Sequence, residues 1–148
     1  MNIASMTGLE IIQALVVGKL APPSIMETMG MRFGEVQKGY VRFLARADHR
    51  HLNPMGGVHG GFAATVLDSV TGCAVHTMLD AGLGYGTVDL NIKMLRPVPR
   101  DVELVADSTV LHLSRSLGVS DGTLKTADGK LLAHATATCY IFRSDAGG

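Results

Sequence analysis

The sequence contains no tryptophan, and aromatic residues make up only 5% of its 148 positions. Few large side chains are available to close a core, so some apolar surface is left for a second copy of the chain, the commonest kind of partner. Cysteine is nearly absent. Cys73 and Cys139 are the two present, and they form no spaced framework. A small secreted fold stapled by disulfides is thereby excluded, and both are read as free thiols in a reducing compartment. Net charge is also missing, with 13 basic residues against 13 acidic ones. No basic face for nucleic acid or for an acidic membrane surface is indicated. Nor is there a long hydrophobic run. The stretch Leu9 to Val17 is too short to span a bilayer. It contains Glu10 and Gln13 and has no basic residue before it, which makes a poor signal peptide. The cytoplasm is the expected location.

What is present suits a packed domain. Hydrophobic residues make up 47% and charged residues 18%, which is too little charge for a disordered chain. The length predicts one domain over residues 1–148, with a helical extension at about 1–29. There is no internal repeat.

Leu9, Ile12, Leu15, Val16 and Leu20 recur at helical spacing, and Ala21-Pro22-Pro23 breaks that helix. Ser24 is placed to cap a short helix through Met29. Two strand-like runs follow, Met31 to Gln37 and Tyr40 to Ala47, joined by a Lys38-Gly39 turn. Residues 48 to 57 are polar and irregular. From His59 to about Ala81 the pattern is helical and apolar on most sides, as in a buried helix, with Gly82 and Gly84 as its terminators. Four more strands are predicted: Tyr85 to Leu95, Val102 to Leu113, Ser116 to Thr126 and Lys130 to Arg143. Asp128-Gly129 turns the chain before the last of them. Gly122, inside the third, suggests a bulge. Consecutive strands give an antiparallel sheet, and one long buried helix wrapped by five or six of them is an α+β architecture.

The chemistry concentrates between residues 53 and 68. Gly60 and Gly61 fall where the buried helix begins. A helix start offers free N–H groups and the positive end of the macrodipole, and glycine lets a ligand approach them. The result is a donor site for a developing oxyanion, although the same glycines also serve a plain tight turn. Asp68 lies deeper in the apolar helix. A carboxylate there is costly unless paired or used, so it is a candidate general base or nucleophile, or else marks one solvated stripe. Gly60 and Asp68 are eight residues apart, about 12 Å along a helix. Both must lie within about 3 Å of one reacting centre to act on it together. They can do so across a two-fold axis that sets Gly60 of one chain against Asp68 of another, which requires at least a dimer.

The same stretch resembles the hotdog-fold thioesterases, in particular the phenylacetate-pathway type of acyl-CoA thioesterase. The residues that carry the likeness are Asn53, the run Gly57-Val58-His59-Gly60-Gly61, and Asp68. They continue with Thr87-Val88-Asp89-Leu90-Asn91, Arg96-Pro97 and Asp128-Gly129-Lys130-Leu131-Leu132-Ala133, so that about residues 24 to 143 are covered. The resemblance implies a hotdog fold and hydrolysis of acyl-CoA, with an aryl-acetyl or medium-chain acyl group. It implies that the Gly60 amide polarises the thioester carbonyl, that Asn53 sits beside the carbonyl or the water, and that Asp68 of the partner subunit activates the water or attacks directly. Thr87 would orient that water. His59 matches the motif, with a structural role at the helix start or an acid–base role. Coenzyme A would enter as part of the substrate, with no separate cofactor. Its phosphates need cationic or amide donors, for which Arg96, Lys93, and Arg115 flanked by Ser114 and Ser116 are candidates. Homodimers or dimers of dimers with shared sites are expected. Two departures stand out. Gly72, one turn after Asp68, offers no hydroxyl, and Asp121-Gly122 interrupts a strand expected to be smooth.

Other constellations are weaker. His49, His51 and His59 have no suitably spaced carboxylate or cysteine, and no metal site is expected. Cys73 and His76 stand at i, i+3 but inside the buried helix, where a cysteine is usually packing. The run Gly56 to Gly61 lacks the Lys-Ser/Thr of a phosphate loop. A hydratase or dehydratase on the same fold, and a non-catalytic acyl-CoA-binding module, are the rival functions.

Overall fold

The computed structural model describes residues 1–144; the last four residues of the expected domain lie outside them. Two short helices, α1 (Gly8–Val16) and α2 (Ser24–Thr28), precede a strand pair, β1 (Met31–Gln37) and β2 (Tyr40–Ala45). The long helix α3 spans Gly60–His76, and four strands follow: β3 (Leu83–Met94), β4 (Leu104–Leu113), β5 (Leu117–Thr126) and β6 (Leu131–Arg143). The strands form one antiparallel sheet in the order β1-β2-β4-β5-β6-β3. The sheet curls around α3, which packs against β2 to β6. This is the α+β hotdog arrangement. No helix among the described residues is long and apolar enough to cross a membrane.

The core lies between α3 and the concave face of the sheet. Phe62, Val66, Leu67 and Val70 of α3 meet Val41, Phe43, Leu104 and Leu124 from the strands, all 2% exposed or less. Between these larger residues the strands present small ones: Ala45, Ala106, Ala133, Ala135 and Ala137 are buried. Gly118 and Gly122 take this further. A Cβ at Gly118 would stand 2.6 Å from Val75 Cγ1, and one at Gly122 would stand 3.0 Å from Thr71 Cγ2. The two glycines let the helix backbone approach β5. Gly122 is therefore not a bulge. It pairs in register with Ser108 and Ala135, and β5 runs unbroken through Asp121-Gly122.

Bulges occur elsewhere, at positions the alternation does not mark. Pairing shifts between Phe33 and Val36, between Thr87 and Asp89, and between Val110 and His112. The shift at Val88 reverses the parity of β3. Leu83 and Tyr85 face the helix before it, and Leu90 and Ile92 face the core after it.

Several boundaries differ from expectation. α3 stops at His76, five residues before Ala81, with Thr77 as C-cap. Gly82, at φ +81°, follows in the turn, and Gly84 already belongs to β3. α1 ends at Val16, because Gly18 at φ +74° turns the chain. Ser24 is the first residue of α2 rather than its cap. Pro23 holds the cap position and no side chain bonds the helix start. Thr7, unremarked in the sequence, caps α1 in a reciprocal box with Glu10.

The close approach of α3 to β5 is testable. Valine is stiff at χ1 and cannot fold away. Gly118→Ala should lower the unfolding free energy by about 1–3 kcal/mol. Adding Val75→Ala should recover part of that loss relative to the sum of the single changes, as read by urea denaturation.

Candidate active site

The start of α3 is built by the loop before it. Asn53 Oδ1 accepts from the N–H groups of Met55 (2.9 Å) and Gly57 (3.2 Å), and the Asn53 N–H donates to Gly57 O (2.7 Å). The side chain of Asn53 thus ties the loop together through its oxygen, and its amide nitrogen remains to donate. His59 is the N-cap of α3: its Nδ1 accepts from the Gly61 N–H at 2.8 Å, and its own N–H donates to His51 O. That engagement fixes Nδ1 as the unprotonated nitrogen. Among the described residues, none accepts a hydrogen bond from the Gly60 N–H. Gly60 lines a cavity of about 270 Å³ together with Met94, Arg96, Pro97 and Leu132. A free amide at the positive end of a 17-residue helix, facing a cavity with a guanidinium on its wall, is an anion site in waiting.

Asp68 sits two turns further along. Its Oδ1 is buried and is the one such side-chain oxygen or nitrogen among the described residues without a hydrogen-bond partner. The neighbouring hydroxyls satisfy themselves on the helix. Thr65 Oγ donates to Gly61 O, Ser69 Oγ to Thr65 O, and Thr71 Oγ to Leu67 O. An orphaned buried oxygen costs about 1–3 kcal/mol. Asp68 lines a second cavity, of about 280 Å³, with Thr87, Cys73, His76 and Tyr85. Burial dominates this site. It pushes the Cys73 thiol up to about 12 and the Tyr85 phenol well above its ordinary range, and it holds His76 below the usual imidazole value. Cys73 and His76 are thus both held neutral, which is not the ion pair of an activated thiol.

The structure brings some expected residues together and separates others. Asp68 and Thr87 share one cavity, and Gly60 and Arg96 share another. Lys93 is exposed on β3 and lines neither cavity. His59 opens on a separate shallow site with Arg50 and Thr65. Ser114, Arg115 and Ser116 form the β4–β5 turn, next to Leu79 and Asp80, which follow the C-terminal end of α3. That is the opposite end from Gly60. Thr87 is exposed, and its Oγ lies 3.9 Å from Cys139 Sγ. The residues that sequence reasoning missed are Tyr85 and Val88. Tyr85 lies against Gly72, where a Cβ would stand 2.9 Å from its ring, so Gly72 leaves room for an aromatic wall instead of offering a hydroxyl. Val88 is the bulge that follows Thr87 and ends the part of β3 that lines the Asp68 cavity. Neither a half-buried tyrosine nor a bulge has a signal in a single sequence beyond the Gly84 and Gly86 that flank Tyr85.

The loop histidines are engaged in hydrogen bonds. His51 Nδ1 accepts from the Asp48 N–H at 3.0 Å and its Nε2 lies 2.7 Å from Thr28 O. Among the described residues no group of three or more His, Cys, Asp or Glu is placed to hold an ion.

Comparison with known proteins identifies the family. The family model of the thioesterase superfamily matches residues 55–133, which include Gly60, Asp68 and Thr87. Over 98 residues the chain is 34% identical to a Halobacterium salinarum protein named as an esterase, a match that covers 61% of this chain and 64% of that one. It is 31% identical over 98 residues to mouse acyl-coenzyme A thioesterase 13, covering 65% and 69%. The chain thus spans about two thirds of the length of these relatives. The crystal structure of a thioesterase-class, phenylacetic acid degradation-related protein from Ralstonia eutropha superposes with a TM-score of 0.79 at 32% identity, over 86% of this chain and 97% of that one. These matches make the chain a member of the thioesterase superfamily, an enzyme family, in its hotdog fold.

Proposed function

We propose that the protein hydrolyses acyl-CoA thioesters at sites shared between two copies of the chain. The observation that carries this reading is the separation of two half-sites on one helix. Gly60 and Asp68 face different cavities, eight residues and about 12 Å apart. A second α3 running antiparallel beside the first sets each Gly60 against an Asp68 and makes two equivalent sites. The face of α3 turned from the core favours this, because Gly61, Ala64 and Thr65 are small and half-buried there.

In this reading the thioester carbonyl oxygen accepts from the Gly60 N–H, with the amide of Asn53 beside it. Asp68 of the partner subunit takes a proton from a water oriented by Thr87, and the water oxygen bonds to the carbonyl carbon. The tetrahedral oxyanion is held by the helix start. It collapses with cleavage of the C–S bond, and the departing thiolate takes the proton back. Direct attack by Asp68, giving an anhydride that water then opens, leads to the same products from the same carboxylate. The name of the mouse relative supports coenzyme A as the thiol carrier. Its phosphates are assigned first to Arg96, which shares the Gly60 cavity, with Lys93 of the same strand end as a further candidate. Arg115 with Ser114 and Ser116 is the alternative phosphate site, reached from the far end of α3. His59 holds the helix start in shape. Both cysteines are free, in keeping with the reducing cytoplasm to which this reading assigns the enzyme.

Two measurements test the assignment. Asp68→Asn should lower kcat for thiol release from acyl-CoA by about two to four powers of ten. It should not lower the melting temperature, since the native carboxylate carries an unsatisfied oxygen. Activity within a few-fold of wild type would remove Asp68 from the chemistry, and absence of thiol release by the wild-type protein would favour a binding module or a hydratase. Separately, Arg96→Ala should raise KM for acyl-CoA by about tenfold or more, and raise KM little for the same acyl group on a short thiol lacking the nucleotide. If Arg115→Ala shows that split and Arg96→Ala does not, the phosphates lie at the other end of the helix.

A further inference from the structure

The cavity that holds Asp68 has walls of two kinds. Asp68, Ser69 and Thr87 supply its polar side. The remainder is largely apolar, and much of it does not come from the sheet-and-helix body. Ile12 and Leu15 of α1 and Met26 of α2 line it, with Phe33 and Phe43 from the β1–β2 edge. The two edges of the sheet, β1 and β3, leave this side of α3 uncovered, and the N-terminal helices cover it.

That cover is anchored. The Gly8 N–H donates to Leu79 O at 2.9 Å, and a Cβ on Gly8 would overlap the carbonyl of His76, so α1 sits directly on the C-terminal end of α3. Ile12 is 2% exposed. At the other end, His51 Nε2 lies 2.7 Å from Thr28 O, which ties α2 to the loop before α3. Between them Gly18 at positive φ and the Pro22-Pro23 pair fold the connection back. A cover held at both ends defines a pocket of fixed depth.

We propose that α1 and α2 form the end wall of the acyl pocket and set the size of the acyl group accepted, with Leu15, Ile12 and Met26 as the residues that determine it. This inference rests on the thioesterase reading above. The carbonyl carbon lies at Asp68 and Thr87, and the acyl group extends away from them under the helices. The volume limits what fits. A cavity of ~150 Å³ holds one benzene ring, and this one, at about 280 Å³, is roughly twice that size. An arylacetyl group or a medium-length straight chain meets that limit, and a long-chain fatty acyl group does not.

The test is the acyl preference of the wild-type protein and of two Leu15 variants. Leu15 is half-buried, so its replacement disturbs the core less than that of Ile12. Rates of thiol release are measured over straight-chain CoA esters from acetyl to palmitoyl, and over phenylacetyl-CoA. The wild-type kcat/KM should peak at about six to eight carbons, include phenylacetyl, and fall steeply beyond about ten. Leu15→Ala should raise the ratio of dodecanoyl to hexanoyl kcat/KM by about tenfold or more, and Leu15→Trp should lower the ratio of octanoyl to butyryl by a similar factor. Should either variant melt early, Ile25→Trp is the substitute, at a cavity residue that is 43% exposed; it should shorten the preference as Leu15→Trp does. Unchanged chain-length profiles in folded variants of an active enzyme would overturn the end wall and leave the thioesterase reading standing. No hydrolysis of any CoA ester by wild type would overturn both.

Discussion

The structure depends on how closely α3 lies in the hollow of its sheet. A sheet can wrap a helix only if the residues between them are small. Here the concave face presents Ala45, Ala106, Ala133, Ala135 and Ala137, with bare backbone at Gly118 and Gly122. Phe43 and Phe62 fill the larger spaces of the same core. Close packing also fixes the orientation of the helix. Its start is held toward one cavity, and Asp68 is turned toward the other.

Much of this fold was legible in the sequence. The helical spacing before Pro22, the apolar run after His59, and four alternating segments toward the C-terminus correspond to α1, α3 and β3 to β6. The differences have physical causes. A helix apolar on nearly all sides carries no mark of its end, so α3 was expected to reach Ala81 when it stops at His76. A glycine in a strand reads alike whether it makes a bulge or makes room for a neighbour. At Gly122 it makes room, because Thr71 and Leu67 of α3 press on it. The real bulge at Val88 carries a β-branched residue that fits a regular strand equally well.

The candidate site was legible in its parts and not in their grouping. Gly60 at a helix start and Asp68 in an apolar helix stand out because each is chemically unusual for its place. Their distance follows from helix rise alone. That Asp68 shares a cavity with Thr87 depends on how β3 lies against α3, and that this cavity is closed by α1 depends on the Gly8 contact with the end of α3. Both are tertiary facts with no local pattern. The phosphate-binding candidates illustrate the same limit. Arg96 and Arg115 are equivalent as charges in a sequence, and the fold sends them to opposite ends of α3.

The central claim, that each site takes Asp68 from one chain and Asn53 with Gly60 from another, is tested most directly by mixing inactive subunits. Asp68→Asn protein and Asn53→Ala protein are combined in equal amounts and allowed to exchange, with exchange confirmed by mass spectrometry. Random pairing makes about half of the dimers mixed, and each mixed dimer holds one doubly altered and one intact site, so about a quarter of wild-type activity per site should return. If exchange is complete and no activity returns, each site lies within a single chain, and the shared-site account is contradicted.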